Sequence, residues 1–188
     1  SYPTAELKEA VETIQSVLAN EALAPARAMR QLDRLIDDIR TLDLYELQER
    51  YVFLFDRTRS LSLHLFEHVH GESRDRGQAM VDLAALYARS GLDVDARELP
   101  DYLPLFLEFL SLQPLNEARA LLVEPICVIA VLRERLGRRK SAYEAAFHVL
   151  EAIAQCEPAK GALNELRKAP DDDADDLKAL DAAWEDRP

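Results

Sequence analysis

The residues best suited to chemistry are three of the four histidines, which lie within seven positions as His64, His68 and His70. With Glu67 between them, His64 and His68 spell H-x-x-E-H, the signature of inverted zinc peptidases. On one helix the two imidazoles would lie a turn apart and could share a metal, with Glu67 as general base. A zinc-dependent hydrolase is therefore one hypothesis for this sequence.

The same histidines also fit a purely structural pattern. Leu61, His64, Leu65 and His68 follow the i, i+3, i+4, i+7 spacing of a single helix face. A five-residue motif is weakly specific, and no second motif marks a third metal ligand. Histidines that pack at the edge of a core and bond to their neighbours are therefore favoured, and we expect no bound metal.

Other catalytic signatures are missing from the sequence. The five glycines form neither a G-x-x-x-x-G-K-[ST] loop nor a G-x-G-x-x-G loop for phosphate. No serine lies in a G-x-S-x-G elbow, and neither cysteine has a local nucleophile signature. The sequence therefore predicts a protein that is not an enzyme and holds no cofactor.

Charge and hydropathy narrow the range of partners. The net charge of −12 argues against nucleic-acid binding, which depends on basic residues that displace counterions. No apolar run reaches the roughly 18 residues of a membrane span, and no secretory signal is recognisable. Cys127 and Cys156 lie in apolar surroundings and are interpreted as buried free thiols, with a disulfide between them as the less favoured alternative. We therefore expect a cytoplasmic protein without direct membrane insertion.

Hydrophobic periodicity predicts the fold class. Apolar residues recur at spacings of three and four almost throughout, and no segment alternates as a half-buried strand would. We therefore expect an all-α, single-domain helical bundle of about eight to nine helices. The helical domain is predicted over 1–168, followed over 169–188 by an acidic, flexible tail, with turns of helix near Leu177–Trp184.

Four helix ends are predicted from local signals. The His-rich helix should cover Leu61–Val69 and end near Gly71 in a left-handed conformation. Asp101 is expected to be an N-cap, with a proline in the following first turn. Pro125 should break a helix before Ile126. Further on, Ser141 and Glu144 match a capping box that would begin another helix.

Four arginines flank the His-rich helix in this acidic chain, at Arg57, Arg59, Arg74 and Arg76. They could hold an anionic ligand such as a phosphate-bearing cofactor. The favoured interpretation is that neighbouring carboxylates pair with them at the surface. Aromatic residues in "ERYVFLF" and "PDYLPLFLEFL" exceed what one helix face needs and could line a groove for an amphipathic helix.

Two segments carry a resemblance to a known family. "HLFEHVHGESRDRGQAM" (64–80) and "ELPDYL" (98–103) resemble the delta subunit of respiratory nitrate reductase, a NarJ-type family of assembly chaperones within the TorD/DmsD group. The first segment is long and contiguous. In the second, Tyr102 replaces a histidine that is typical of other branches. The likeness is strongest over 43–112 and does not extend into the acidic tail.

The resemblance implies an all-helical, non-catalytic chaperone. Its partner would be the apo form of the nitrate reductase alpha subunit, bound through its N-terminal leader and held competent for insertion of the molybdopterin guanine dinucleotide cofactor. The chaperone would also time membrane assembly and be absent from the mature complex. A structural helical adaptor without a client-folding role stays open as a further alternative.

A groove for the leader is predicted within the segments that the resemblance marks. The predicted peptide-binding residues are Tyr51, Phe55, His64, Phe66, His68, Arg74, Glu98, Asp101, Tyr102 and Phe106. A basic, amphipathic leader suits an acidic domain with an apolar groove. Titration of His64, His68 and His70 near neutrality would make binding depend on pH.

Overall fold

A computed structural model of the protein describes residues 2–71, 73–92, 94 and 98–172. Within these ranges the chain forms eleven α-helices and no strand, which confirms the predicted all-α class. The helices are α1 (Ala5–Glu9), α2 (Val11–Glu21), α3 (Ala26–Thr41), α4 (Leu44–Tyr51), α5 (Leu65–His70), α6 (Arg74–Arg89), α7 (Leu103–Ser111), α8 (Leu115–Leu122), α9 (Ile126–Arg138), α10 (Glu144–Ala154) and α11 (Lys160–Lys168). Predictions for the tail from residue 173 onward lie outside these ranges.

Helix α9 forms the centre of the main core. Ile129, Leu132 and Leu136 on this helix are fully buried, and α9 packs against both α10 and α11. Burying one leucine or isoleucine side chain contributes about 1.5–3 kcal/mol. The apolar face of α9 therefore supplies much of the free energy that holds the C-terminal half together.

A second apolar cluster joins the N-terminal helices to this core. Val11 of α2 and Ile36 of α3 are buried in it, together with Val149 of α10. Phe147, two residues earlier on α10, belongs instead to the main core. Helix α10 thus contributes to both clusters and fixes the N-terminal helices against the rest of the domain.

The predicted His-rich helix begins four residues later than expected. Residues Arg59–Leu61 form a short 3-10 turn, and His64 is extended, with φ −86° and ψ 106°. Helix α5 starts only at Leu65, and Gly71 after it adopts φ 54° with ψ −127°, a conformation open to glycine. The expected left-handed conformation of Gly71 is therefore wrong, because φ is positive but ψ is not.

Two of the predicted caps are also wrong. Tyr102, and not Asp101, precedes α7, although Pro104 does fall in the first turn of that helix. Ser141 Oγ accepts a hydrogen bond from the Tyr143 amide at 3.3 Å, but α10 begins only at Glu144, so no capping box forms. The break before Ile126 is confirmed, because α8 ends at Leu122 and α9 starts at Ile126.

Two further observations bear on the sequence predictions. Cys127 and Cys156 are free thiols, each partly exposed rather than fully buried. Among the described residues, no helix has both the length and the apolar composition needed to cross a membrane.

Candidate functional site

The two segments that resemble the family lie side by side in the fold. His64 and Tyr102 form an isolated antiparallel bridge. The Leu65 amide donates to the Asp101 carbonyl at 3.0 Å, and the Leu103 amide donates to the Leu63 carbonyl at 2.8 Å. Main-chain pairing therefore explains why His64 lies outside the helix: the residues on both sides of it, Leu63 and Leu65, bond to the backbone of the distant segment 101–103.

We call the paired segments 63–65 and 101–103 the junction. Asp101 is its buried centre. Its side chain is fully buried, and its Oδ2 accepts a hydrogen bond from the Phe66 amide at 3.0 Å. This amide belongs to the first turn of α5, where main-chain donors have no partner within the helix. Asp101 thus caps α5 from a distant segment instead of capping its own helix.

The second oxygen of Asp101 binds the His64 ring. Nδ1 of His64 donates to Oδ1 of Asp101 at 3.2 Å. This hydrogen bond raises the pKa of His64 above its ordinary value, while partial burial works in the opposite direction. The ring also lies 5.4 Å from the ring of Tyr102, centroid to centroid. The pair is therefore an ion pair whenever His64 is protonated.

His68 occupies a different environment from His64. Its Nε2 lies 2.8 Å from the Ser62 carbonyl oxygen. Because a carbonyl can only accept, Nε2 carries the proton in this contact. Burial lowers the pKa of His68 below its ordinary value. The pKa of one histidine is therefore raised and that of the other is lowered, although the two are only four residues apart.

This geometry does not support the zinc hydrolase. His64 is outside the helix and faces Asp101, while His68 faces the Ser62 carbonyl, so the two rings do not present a common metal site. His70 packs edge-on against Phe66 at 5.6 Å. No cluster of three potential ligands exists among the described residues.

Three of the aromatic residues predicted to line a groove are core residues. Tyr51, Phe55 and Phe106 are only 3%, 7% and 5% exposed. The expectation that these side chains face an open groove is therefore wrong. They pack with other side chains in the main core instead. Tyr51 nevertheless reaches the surface junction through its hydroxyl, which lies 2.9 Å from the hydroxyl of Tyr102.

The remaining predicted residues surround the junction without forming one cluster. Phe66 is half-buried, whereas Arg74 is exposed at the first position of α6. Glu98 is exposed, and its charge contributes to raising the pKa of Tyr102, which is raised mainly by burial. Of the flanking arginines, Arg76 pairs with Glu67 at 3.3 Å, as the surface-pairing interpretation predicts.

A cleft of about 620 Å³ runs along α4, and sequence reasoning did not find it. We call it the α4 groove. Tyr45 on its wall is 82% exposed and Tyr2 is 43% exposed. The described lining residues are Tyr2, Tyr45, Glu46, Gln48, Glu49, Val52, Phe53 and Arg57. Tyr2 and Tyr45 are the residues that could have indicated this groove from the sequence, since tyrosine is enriched at binding surfaces.

An aromatic path connects the α4 groove to the junction. The Tyr2 ring packs edge-on against the Tyr51 ring at 5.6 Å. Tyr51 shares a hydrogen bond with Tyr102, whose ring packs against His64. The exposed groove and the His64–Asp101 pair are therefore in physical contact through two tyrosines.

Sequence reasoning also missed a buried arginine. Arg135 of α9 is 2% exposed, and its guanidinium donates to the Ser60 carbonyl at 2.7 Å and to the Ala169 carbonyl at 3.1 Å. Burial lowers its pKa. An acidic residue at the start of the tail also contacts Ser60, because the Ser60 amide donates a hydrogen bond to the Asp172 carboxylate at 3.0 Å. Arg135 thus ties the start of the tail to the segment before α5.

Taken together, fold and site define a helical domain with open, partly apolar clefts, a class typical of proteins that bind other polypeptides. The family of the nitrate reductase delta subunit matches residues 4–149 of the chain. The chain belongs to this family, which confirms the resemblance seen in the sequence.

Individual relatives agree with this assignment. The chain is 42% identical over 186 residues to the nitrate reductase molybdenum cofactor assembly chaperone NarJ of Escherichia coli (strain K12), covering 98% of this chain and 78% of the relative. It is 45% identical over 143 residues to the probable nitrate reductase molybdenum cofactor assembly chaperone NarW of the same strain, covering 76% and 62%. A probable NarJ chaperone of Bacillus subtilis (strain 168) is 34% identical over 109 residues, covering 58% and 59%. These relatives are named as chaperones, in agreement with the expectation of a non-catalytic protein.

Proposed function

We propose that this protein is a system-specific chaperone for nitrate reductase that promotes insertion of the molybdenum cofactor into the alpha subunit. The observation that carries the proposal is the 42% identity to an assembly chaperone of that enzyme over 98% of the chain. The chaperone acts in the cytoplasm on the apo alpha subunit, times its membrane assembly and leaves before the complex is mature.

The client is held through its N-terminal leader. A basic, amphipathic leader presents apolar side chains on one helix face and cations on the other, and the α4 groove suits both. Val52 and Phe53 offer apolar contact within the groove, while Glu46 and Glu49 supply negative charge. Apolar anchors give affinity and complementary charge speeds encounter.

The junction forms the far end of the proposed leader surface. His64, Phe66 and Tyr102 are partly exposed and contact the leader directly, with Arg74 and Glu98 at the rim. Tyr51, Phe55, His68, Asp101 and Phe106 support these residues from beneath. The hydrogen bond between Tyr51 and Tyr102 links the two ends of the surface.

Calorimetric titration with a peptide of the first 15 to 30 or so residues of the alpha subunit, the length of a targeting segment, tests leader binding. Saturable binding that weakens in Glu46→Gln/Glu49→Gln supports the α4 groove. Glu9→Gln/Glu21→Gln removes the same charge from exposed N-terminal helix positions and serves as the matched control. Equal weakening in both variants would show that only net charge matters.

A cellular assay tests the chaperone role itself. Nitrate reductase purified from cells that lack this protein should contain little molybdenum cofactor. Normal cofactor loading together with misplaced enzyme would instead identify a structural adaptor. A zinc assay on the purified chaperone completes the test, since one zinc per chain would contradict the proposed role of the histidines.

A further inference from the structure

A second cleft, of about 420 Å³, lies where α3 and α4 meet the turn between α9 and α10. Its described lining contains four basic side chains and one acidic side chain, which are Arg34, Arg50, Arg139, Lys140 and Asp38. This lining carries a charge of +3 in a chain whose net charge is −12. We call it the basic cleft. A cleft lined by one sign of charge attracts an occupant of the opposite sign, here an acidic one.

Two of these cations have no carboxylate beside them among the described residues. Arg34 and Lys140 are exposed, and no ion pair or side-chain hydrogen bond joins either of them to a residue that the structure describes. Arg50, by contrast, pairs with Glu46 at 2.6 Å. The charge that is left for an occupant therefore lies on Arg34 of α3 and on Lys140 of the turn between α9 and α10.

The floor of the basic cleft is apolar. Leu35, Leu47 and Leu54 are buried beneath it, and the rings of Phe53 and Tyr143 are half-buried in its wall. A small anion would use the cations and leave this floor in contact with water. An acidic polypeptide segment that also carries apolar side chains would use both parts of the cleft.

The start of the acidic tail passes the edge of this cleft. Nη1 of Arg139 donates to Oδ1 of Asp171 at 2.7 Å, and Nη2 of Arg139 donates to the Asp172 carbonyl. The Ser60 amide fixes the same segment by donating to Oδ2 of Asp172 at 3.0 Å. Because Arg139 also lines the basic cleft, the chain that follows Asp172 starts beside it.

Residues 173–188 have the composition that this cleft favours. They contain six acidic and two basic side chains, a net charge of −4. Leu177, Leu180 and Trp184 recur at spacings of three and four, so a helix would place them on one face. A segment tethered beside a cleft also has an effective concentration in the millimolar range, which a separate acidic molecule would have to match.

We propose that residues 173–188 dock in the basic cleft of the same molecule. Carboxylates of this segment pair with Arg34 and Lys140, and its three apolar side chains lie on the apolar floor. The docked segment ties α3 to the turn between α9 and α10. This surface is separate from the proposed leader surface, apart from Phe53, which borders both clefts.

Trp184 is the one tryptophan of the chain, so its fluorescence reports on the tail alone. Its emission in the whole chain should lie at shorter wavelength than in a free peptide of residues 173–188, and acrylamide should quench it less. Arg34→Gln/Lys140→Gln should shift the docking equilibrium about tenfold toward the undocked tail. Arg27→Gln/Lys160→Gln removes the same charge at exposed positions outside the cleft and should change neither emission nor quenching.

Stability provides a second readout that does not use the tryptophan. Removal of residues 173–188 should lower the urea midpoint, because a segment that docks only on the folded domain stabilises it. Removal in the Arg34→Gln/Lys140→Gln background should lower the midpoint by less than it does in the wild type, since the two changes disrupt the same contacts.

Several outcomes would overturn the proposal. Emission and quenching equal to those of the free peptide would show an undocked tail, and equal shifts in the two double variants would reduce the effect to net charge. Emission that depends on protein concentration would place the tail on a second copy of the chain. Strictly additive changes of the urea midpoint would separate the tail from Arg34 and Lys140. Circular dichroism of each variant verifies that the fold is retained.

Discussion

His64 and Asp101 form a half-buried pair, with Nδ1 and Oδ1 at 3.2 Å, that joins two segments far apart in the sequence. The same carboxylate caps α5 through the Phe66 amide. One buried acid thus positions both the exposed ring of the junction and the helix behind it. The identity of residue 101 therefore affects both the position of the His64 ring and the stability of α5.

Asp101→Ala should lower the free energy of unfolding by about 3 kcal/mol, since it leaves a helix donor and a histidine without their acceptor. Asp101→Asn should cost less, about 1 kcal/mol, because the amide oxygen still accepts from the Phe66 amide. Urea unfolding measures both values. Glu108→Gln on the exposed side of α7 is the control, and a loss equal to that of Asp101→Ala would contradict the role given to Asp101.

The pKa shifts of His64 and His68 should act on stability with opposite sign. The raised pKa of His64 gives stability that is complete below pH ~6.5, the unfolded value, and is lost as pH rises through the folded value. The lowered pKa of His68 gives stability that is complete above pH ~6.5 and is lost as pH falls through the folded value.

Single variants separate these two contributions. In His64→Gln, stability should fall as pH decreases below about 6.5, because the lowered pKa of His68 is no longer opposed by the raised pKa of His64. In His68→Gln, stability should fall as pH rises above about 6.5, because the raised pKa of His64 then acts without the opposing shift of His68. Urea midpoints measured across this range test both slopes. The groups facing His64 are Asp101, Glu67 and Arg76, and identical slopes in both variants would assign the dependence to them.

The hydrogen bond between Tyr51 and Tyr102 should appear as an energetic coupling. Each single change to phenylalanine should cost about 1 kcal/mol, because it leaves the partner hydroxyl unpaired in a half-buried place. The double variant should cost less than the sum of the two. A double-mutant cycle in urea measures the coupling, and strict additivity would show that the 2.9 Å contact contributes nothing.

Arg135→Met should lower the free energy of unfolding by about 3 kcal/mol, since it leaves the carbonyls of Ser60 and Ala169 without their donor. Arg138→Gln should cost less than about 0.5 kcal/mol, because Arg138 is 60% exposed and its bond to Asp171 is long. Thermal unfolding compares the two. Limited proteolysis near residue 170 should also accelerate in Arg135→Met alone.

Local signals predicted most of the fold but not the site. Periodicity predicted the all-α class because burial of one helix face is a property of neighbouring residues, as in α3, where Leu32, Leu35 and Ile36 are buried. His64 was wrongly assigned to a helix because its partner, Asp101, is 37 positions away and no local signal encodes that pairing. Ser60 and Asp172, which bond to each other, are 112 positions apart. No local signal encodes this contact either, so the sequence did not predict that the start of the tail is anchored.

Leader binding should depend on pH through His64. Protonated His64 forms an ion pair with Asp101 and brings positive charge to a surface that is proposed to bind a basic leader. Affinity for the leader peptide should therefore fall as pH decreases from about 8 to 5.5, and His64→Gln should flatten the dependence. Calorimetry at each pH measures the affinity, with His148→Gln, on the distant helix α10, as the control. Equal dependence in wild type and His64→Gln would assign the titration to another group, such as the leader itself.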